Sequence, residues 1–208
     1  MRKITSYSKV QGIIGSLIRG HALGIKKKES KLLNVGCGPH ANPAFINLDY
    51  WWTPSIDVCW DIVKKKYPIK SNQLEGIYTE HCLEHIPHES FKDNCKEFFR
   101  MLKSGGDVRI IMPDGELYLD IYQDRKNGGS RRMPYEDSYA TPMARINGIF
   151  RNHGHLFIYD FDTVKKILED AGFVHVKKET FQHGRNPSLL NDTDWRAHES
   201  LYVEATKP

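Results

Sequence analysis

Cysteine is scarce and unpaired in this sequence. Cys37, Cys59, Cys82 and Cys95 are the only 4 in 208 residues, and no two stand close together. That spacing argues against a disulfide-stapled scaffold and, with no secretory leader ahead of it, points to a reducing, cytoplasmic compartment. Long hydrophobic runs are missing too. The most apolar N-terminal stretch, VQGIIGSLIRGHALGIKKK, is too short and too broken by glycine to span a bilayer. Its flanking lysines leave peripheral membrane contact open, but the expected role of residues 1–30 is a helical segment packed on the domain that follows. There is no internal repeat, no low-complexity tract, and no G-x-x-x-x-G-K-[ST] loop to cradle a triphosphate. Basic residues exceed acidic ones only 30 to 26, and they fall in small scattered groups such as Lys64-Lys65-Lys66. Without a long basic stripe, nothing in the charge calls for nucleic acid.

What is present is enough apolar residue, 39%, for a real core in one domain over residues 31–208. Strands are predicted at 31–35, 46–49, 56–60, 75–79, 107–112, 173–179 and 201–205. The runs LLNV and VRIIM suit strands buried on both faces. In SFKDNCKEFFRMLKSGG, Phe91, Cys95, Phe98, Phe99 and Leu102 share one helical face, and Gly105-Gly106 supply the expected stop. In DFDTVKKILEDAGF, Asp162 is the expected cap, Val164, Ile167, Leu168 and Ala171 form the stripe, and Gly172 ends it. Alternating strands and helices indicate a parallel-rich α/β sheet, with the last two strands able to pair antiparallel at one edge. Residues 113–155 interrupt this pattern with helical pieces near ELYLDIYQ and MARINGIF. An insert after a strand's carboxyl end falls where α/β sheets bind ligands, so it is the expected acceptor-side lid.

The stretch LLNVGCGPHANPAFINLD bears on the cofactor. Gly36, Gly38 and Ala41 fit a loose dinucleotide pattern, but residues 39–45 contain Pro39 and Pro43 and leave no room for a helix. A pyrophosphate site needs that helix N-terminus and a ribose acid about 20 residues on. An adenosyl ligand without phosphate fits better: glycines let its backbone neighbours approach, and Asp49 can accept both ribose hydroxyls. Asp61 could then accept from the adenine amino group, with Ile62 against the ring.

Taken with INLDY, DVCWDI, YPIKSNQLEGIYTEHCLEHIP, FFRMLKSGGDVRIIMPD and HGHLFIYDFDTVKKILEDAGF, that stretch resembles class I S-adenosylmethionine-dependent methyltransferases, in particular a small bacterial-type branch where GCG runs almost directly into an N-x-D strand. The resemblance covers residues 31–112 and 153–205. It implies a Rossmann-like three-layer sandwich with a seven-stranded, mostly parallel sheet whose last strand is antiparallel. It also implies that Gly36, Cys37 and Gly38 line the methionine and ribose part of S-adenosylmethionine. By the same resemblance Asp49, beside Tyr50, binds ribose, Asp61 and Ile62 hold adenine, and Glu80 and His81 face the methionine end. S-adenosylhomocysteine would be the product.

Histidines offer the remaining chemistry. His81 and His85 would share a helical face, but no third well-spaced ligand accompanies them, so no metal is assigned. The expected arrangement is a strand-end turn with Leu83 packed inward and His85 on a backbone carbonyl. His153 and His155 follow the insert and can reach the pocket mouth, where a near-neutral base suits a hydroxyl or amine acceptor. Asp114 is a second acceptor-side candidate. Tyr118, Tyr122, Tyr135, Tyr139 and Arg131-Arg132 suit a saccharide, and equally a core and a solvated face. The expected activity is methyl transfer by direct displacement to an oxygen or nitrogen of a small molecule or saccharide. Two alternatives stay open: a catalytically inactive, cofactor- or partner-binding protein, and a nucleic-acid or protein methyltransferase. The latter lacks its N/D-P-P-Y/F type of motif, where this chain has TEHC.

Overall fold

A computed structural model describes residues 6–208; the first five residues of the expected N-terminal segment lie outside them. In chain order the described residues form α1 (Ser6–Ile18), β1 (Leu32–Val35), β2 (Ile46–Asp49), β3 (Val58–Cys59), β4 (Leu74–Glu80), α2 (His88–Met101), β5 (Leu102–Pro113), α3 (Gly115–Lys126), α4 (Pro142–Arg151), α5 (Phe161–Asp170), β6 (Val174–Glu179) and β7 (Ser200–Thr206). They build one 7-stranded sheet in the order β3-β2-β1-β4-β5-β7-β6. The first five strands are parallel, and β7 runs antiparallel to both β5 and β6. The strand order reverses between β1 and β4, and a crevice opens at the carboxyl ends of such strands.

Strand alternation sorts the side chains onto two faces. Leu33, Val35, Ile77, Val108, Ile110, Met112, Leu201 and Val203 form one buried cluster with Phe91, Cys95 and Phe98 of α2 and Val164 and Leu168 of α5. Tyr78, Ile111 and Tyr202 point the other way and cluster with Phe45 and Leu189. This second face is covered by the irregular link 180–199, which contains two short 3-10 turns at Pro187–Leu189 and Asp194–Arg196. Arg109, in the middle of β5 and fully buried, anchors that link. Its Nε and Nη2 donate to the two carboxylate oxygens of Asp192 at 2.7 and 2.5 Å. Nη1 donates to Glu204 Oε1 and to the His183 carbonyl, and Nη2 also reaches the Thr180 carbonyl. All five guanidinium donors are thereby satisfied.

The β1–β2 connection, residues 36–45, contains no helix, as its two prolines predicted. Asn47 holds its turns: Nδ2 donates to the carbonyls of Asn42 (2.9 Å) and Phe45 (3.1 Å), while Oδ1 accepts from Asn42 N (2.9 Å).

Two expected helix ends need correction. Helix α2 stops at Met101 rather than at Gly105-Gly106, because Met101 and Leu102 are both fully buried and carry the chain directly into the sheet. Gly105 does take a left-handed φ of 77°, but inside β5, beyond the helix, where its N–H donates to the Lys207 carbonyl. Helix α5 is capped by Asp160, whose Oδ1 accepts from Thr163 N at 2.9 Å; Asp162 lies in the first turn.

The insert forms its own small core of Tyr118, Ile121, Met133, Ile146 and Ile149 between α3 and α4. Near its carboxyl end α1 meets the domain: a Cβ on Gly15 would sit 3.5 Å from Trp52, and Arg19 stacks 3.6 Å over the Tyr50 ring while donating to the Tyr50 carbonyl. No described helix is long and apolar enough to cross a membrane.

Candidate active site

The turn after β1 and the end of β2 come together through one carboxylate. Asp49 is buried, and its Oδ2 accepts from Gly38 N at 2.8 Å while Oδ1 accepts from Trp51 N at 2.7 Å. Burial raises its pKa, and these backbone N–H groups oppose the rise. A carboxylate has about four lone-pair positions, so two remain for a ligand. Gly36 and Gly38 both have positive φ, 68° and 51°, but their surroundings differ. A Cβ on Gly36 would lie 2.2 Å from Cys82 Sγ, whereas one on Gly38 would meet nothing within 4 Å. The open side belongs to Gly38.

Beyond Cys82, a cavity of about 390 Å³ opens at the carboxyl ends of β4 and β5. His81, Glu84, His85 and His155 line one part of it, and Tyr135, Tyr139, Arg145, His153, Trp195 and Glu199 line another. His81 follows β4 with a left-handed φ of 46°, and Leu83–His85 make one 3-10 turn, so the segment is the expected strand-end turn and His81 and His85 share no α-helical face. Leu83 packs into the core as expected.

Glu84 stands at the centre of the histidines, fully buried, with no hydrogen-bond partner among the described residues on either carboxylate oxygen. Its Oε1 faces His81 Nδ1 at 3.5 Å, His85 Nε2 at 3.7 Å and His155 Nε2 at 4.0 Å. Surrounding bonds fix two of the imidazole tautomers. The His155 Nδ1–H donates to the Ile149 carbonyl at 2.6 Å, which leaves Nε2 bare. Ser200 Oγ donates to the Arg196 carbonyl and therefore accepts from His81 Nε2–H at 2.8 Å, which leaves Nδ1 bare. His85 Nδ1 lies against Gly154, and its Nε2 faces Glu84. Burial pushes the Glu84 carboxyl up to about 8 and the His81 imidazole down to about 2. Burial and neighbouring cationic groups lower His85 and His155 as well. Burial thus disfavours the charged form on both sides of these contacts.

The other candidates are dispersed. Glu80 accepts from the backbone N–H and hydroxyl of Thr193, locking the closing link to the end of β4. Asp61 Oδ1 accepts from Val63 N and Lys64 N in a turn, and Ile62 packs on the core. Asp114 caps α3 through Leu117 N and pairs with Lys178 at 3.2 Å; it does not line the cavity. His153 does line it, at φ 60° in a kink after α4. Of the aromatic and basic residues of the insert, Tyr135 and Tyr139 face the cavity, while Tyr118 is buried and Arg131-Arg132 are exposed elsewhere. Arg145 and Glu199 escaped the sequence reading. Arg145 Nη2 donates to Tyr118 Oη at 2.7 Å, Tyr118 donates to Glu199 Oε2 at 2.8 Å, and the guanidinium lies about 5 Å from the rings of Tyr118, Tyr135 and Tyr139. Glu199 is 54 positions away from Arg145, and no sequence pattern links the two.

Comparison with known proteins agrees with this geometry. A family model described as a methyltransferase domain matches residues 14–178. No curated protein matches the chain. Among solved structures, a SAM-dependent methyltransferase from Archaeoglobus fulgidus aligns at 15% identity over 97% of this chain and 95% of its own, with a TM-score of 0.52. A possible histamine N-methyltransferase from Thermotoga maritima aligns at 15% identity over 88% of this chain and 84% of its own, TM-score 0.51. Phosphoethanolamine N-methyltransferase 2 of Haemonchus contortus, solved with S-adenosyl-L-methionine, aligns at 13% identity and TM-score 0.51 over 89% of this chain, which spans 50% of the length of that protein. At these identities the structures establish a shared fold. With a methyltransferase-domain model matched across most of its length, this chain belongs to the class I S-adenosylmethionine-dependent methyltransferases.

Proposed function

We propose that the protein methylates an oxygen or nitrogen of a small molecule or saccharide bound in the cavity beneath the insert, which acts as the acceptor-side lid. The observation that carries this reading is proximity. Cys82 packs on Gly36 of the glycine turn, and its neighbour His81 lines the cavity, so one residue separates the cofactor turn from the acceptor space. Gly36, Cys37 and Gly38 would run along the methionine and ribose part of S-adenosylmethionine, whose bound sulfonium supplies the electrophilic methyl group. The open side of Gly38 and the two spare lone-pair positions of Asp49 fit that ligand. Tyr50 lies beside the ribose, Asp61 and Ile62 take the adenine, and Glu80 with His81 closes the methionine end.

On the acceptor side, Tyr135, Tyr139 and Trp195 offer flat faces to a sugar or other ring, and Arg145 and Glu199 offer fixed charges that orient it. His153 is the base we assign to an acceptor proton. His155 is engaged at Nδ1 by Ile149 and turned toward Glu84 at Nε2, and Asp114 is held at its cap. The test has two parts. Calorimetry should show S-adenosylhomocysteine binding while NADH does not bind; the reverse overturns the cofactor reading. Labelled S-adenosylmethionine, offered with nucleotide sugars and small amines, should then yield a labelled small product. Label appearing only in nucleic acid or protein would overturn the acceptor class.

A further inference from the structure

We propose that Glu84, His85 and His155 bind a divalent first-row metal cation, with His81 Nδ1 facing the same carboxylate at 3.5 Å. The donor atoms of the first three already lie within 4.8 Å of one another. A tetrahedral zinc site with bonds near 2.0–2.1 Å places its donors roughly 3.4 Å apart, so closure needs side-chain movements of about 1 Å. The chemistry of the arrangement argues for a cation more strongly than the spacing does. Two imidazole lone pairs whose tautomers are fixed from outside, by Ile149 and Ser200, converge on a carboxylate with no partner. Such a cluster is acceptor facing acceptor. With Glu84 ionised it becomes favourable when a positive centre sits between the groups. The bond from His155 to the Ile149 carbonyl is also the kind of second contact that orients a metal-ligating histidine. Two imidazoles with one carboxylate select zinc-like cations over magnesium or calcium, which prefer all-oxygen sites.

One simpler account exists: Glu84 protonated, sharing its single proton with one histidine. That proton would satisfy one of the facing lone pairs and leave the others. It predicts no metal affinity, so the two accounts separate by experiment.

The donors line the acceptor cavity, so the purpose of the cation, holding an acceptor oxygen or nitrogen against the cofactor turn, rests on the methyl-transfer reading above. The binding itself does not. The whole protein, stripped with a chelator and dialysed, is titrated with Co²⁺ and followed by its visible absorption, then with Zn²⁺ and Mg²⁺ by calorimetry. One equivalent of Co²⁺ should bind with nitrogen-ligated bands, Zn²⁺ should displace it, and Mg²⁺ should not compete. Glu84→Gln and His155→Gln should weaken binding at least about 100-fold. His85→Ala, at a half-exposed position where misfolding is not expected, should weaken it in the same direction. S-adenosylhomocysteine binding is measured on every preparation. Unchanged S-adenosylhomocysteine binding with no cobalt uptake by the native protein overturns the metal site alone. Equal cobalt uptake by native protein and His85→Ala overturns it too, since the ion then sits elsewhere. Cobalt uptake with no S-adenosylhomocysteine binding upholds the metal site and overturns the cofactor reading.

Discussion

Gly36 and Gly38 look interchangeable in the sequence, and the structure separates them. Both sit at positive φ, which costs a residue with a Cβ about 1–2 kcal/mol. Gly36→Ala adds a collision with Cys82 Sγ and should lose about 2–4 kcal/mol, read as a fall in the thermal midpoint. Gly38→Ala should lose only the backbone share and remain folded, yet bind S-adenosylhomocysteine more weakly, because its methyl fills the open side of the turn. Equal S-adenosylhomocysteine affinity in Gly38→Ala and native protein would remove that turn from the cofactor site. The glycine turn and Asp49 were legible because backbone geometry demands those residue types there. The partnership of Gly36 with Cys82 was not, since contacts between residues 46 apart leave no local pattern. His153 was legible as a candidate, and its role is open to a direct test. His153→Ala should lower kcat by about 10²–10⁴ if it takes the acceptor proton, with S-adenosylhomocysteine affinity unchanged in calorimetry.

At the scale of elements, β1, β4, β5, α2 and α5 were readable from their apolar runs and periods. Their ends were less so. The α5 cap slipped from Asp160 to Asp162 because two aspartates flank the start and only the hydrogen bond to Thr163 N decides between them. That bond has a measurable consequence. The Thr163 side chain, and with it this backbone N–H, holds the Asp160 carboxyl below its ordinary value of 3.8, so at low pH the unfolded chain binds the extra proton and folding weakens. The cap's contribution is therefore full above pH 3.8 and is lost as pH falls through the lower folded value. Asp160→Ala should destabilise by about 1 kcal/mol at neutral pH, and the gap to native protein should close in acid. Asp162→Ala should change stability little at either pH. Urea unfolding of the three proteins at neutral and acid pH checks both statements.

For the whole molecule, the least legible feature was what covers the second face of the sheet. The link FQHGRNPSLLNDTDWRAHES has no helical or strand period, so nothing in it announced a packed layer. What holds it is Arg109, a charged residue inside the apolar run VRIIM that reads as an anomaly until Asp192 and Glu204 are found around it. The same link supplies Trp195, Arg196 and Glu199 to the cavity, and Thr193 to Glu80. On the proposed function, stability and acceptor recognition are thus joined through one side chain. Arg109→Met should cost about 3–5 kcal/mol, because two buried carboxylates lose their cation while the apolar volume is kept. Replacing all three as Arg109→Met, Asp192→Leu and Glu204→Leu should recover much of that stability in urea unfolding, since no unpaired charge then remains. Acceptor binding should not recover with it. The apolar triple variant no longer fixes the link through the Thr180 and His183 carbonyls or holds Gln182 N on Asp192, so KM for the acceptor should stay raised. Native KM in a fully restabilised triple variant would show that the ion triad serves stability alone and that the cavity wall is set elsewhere.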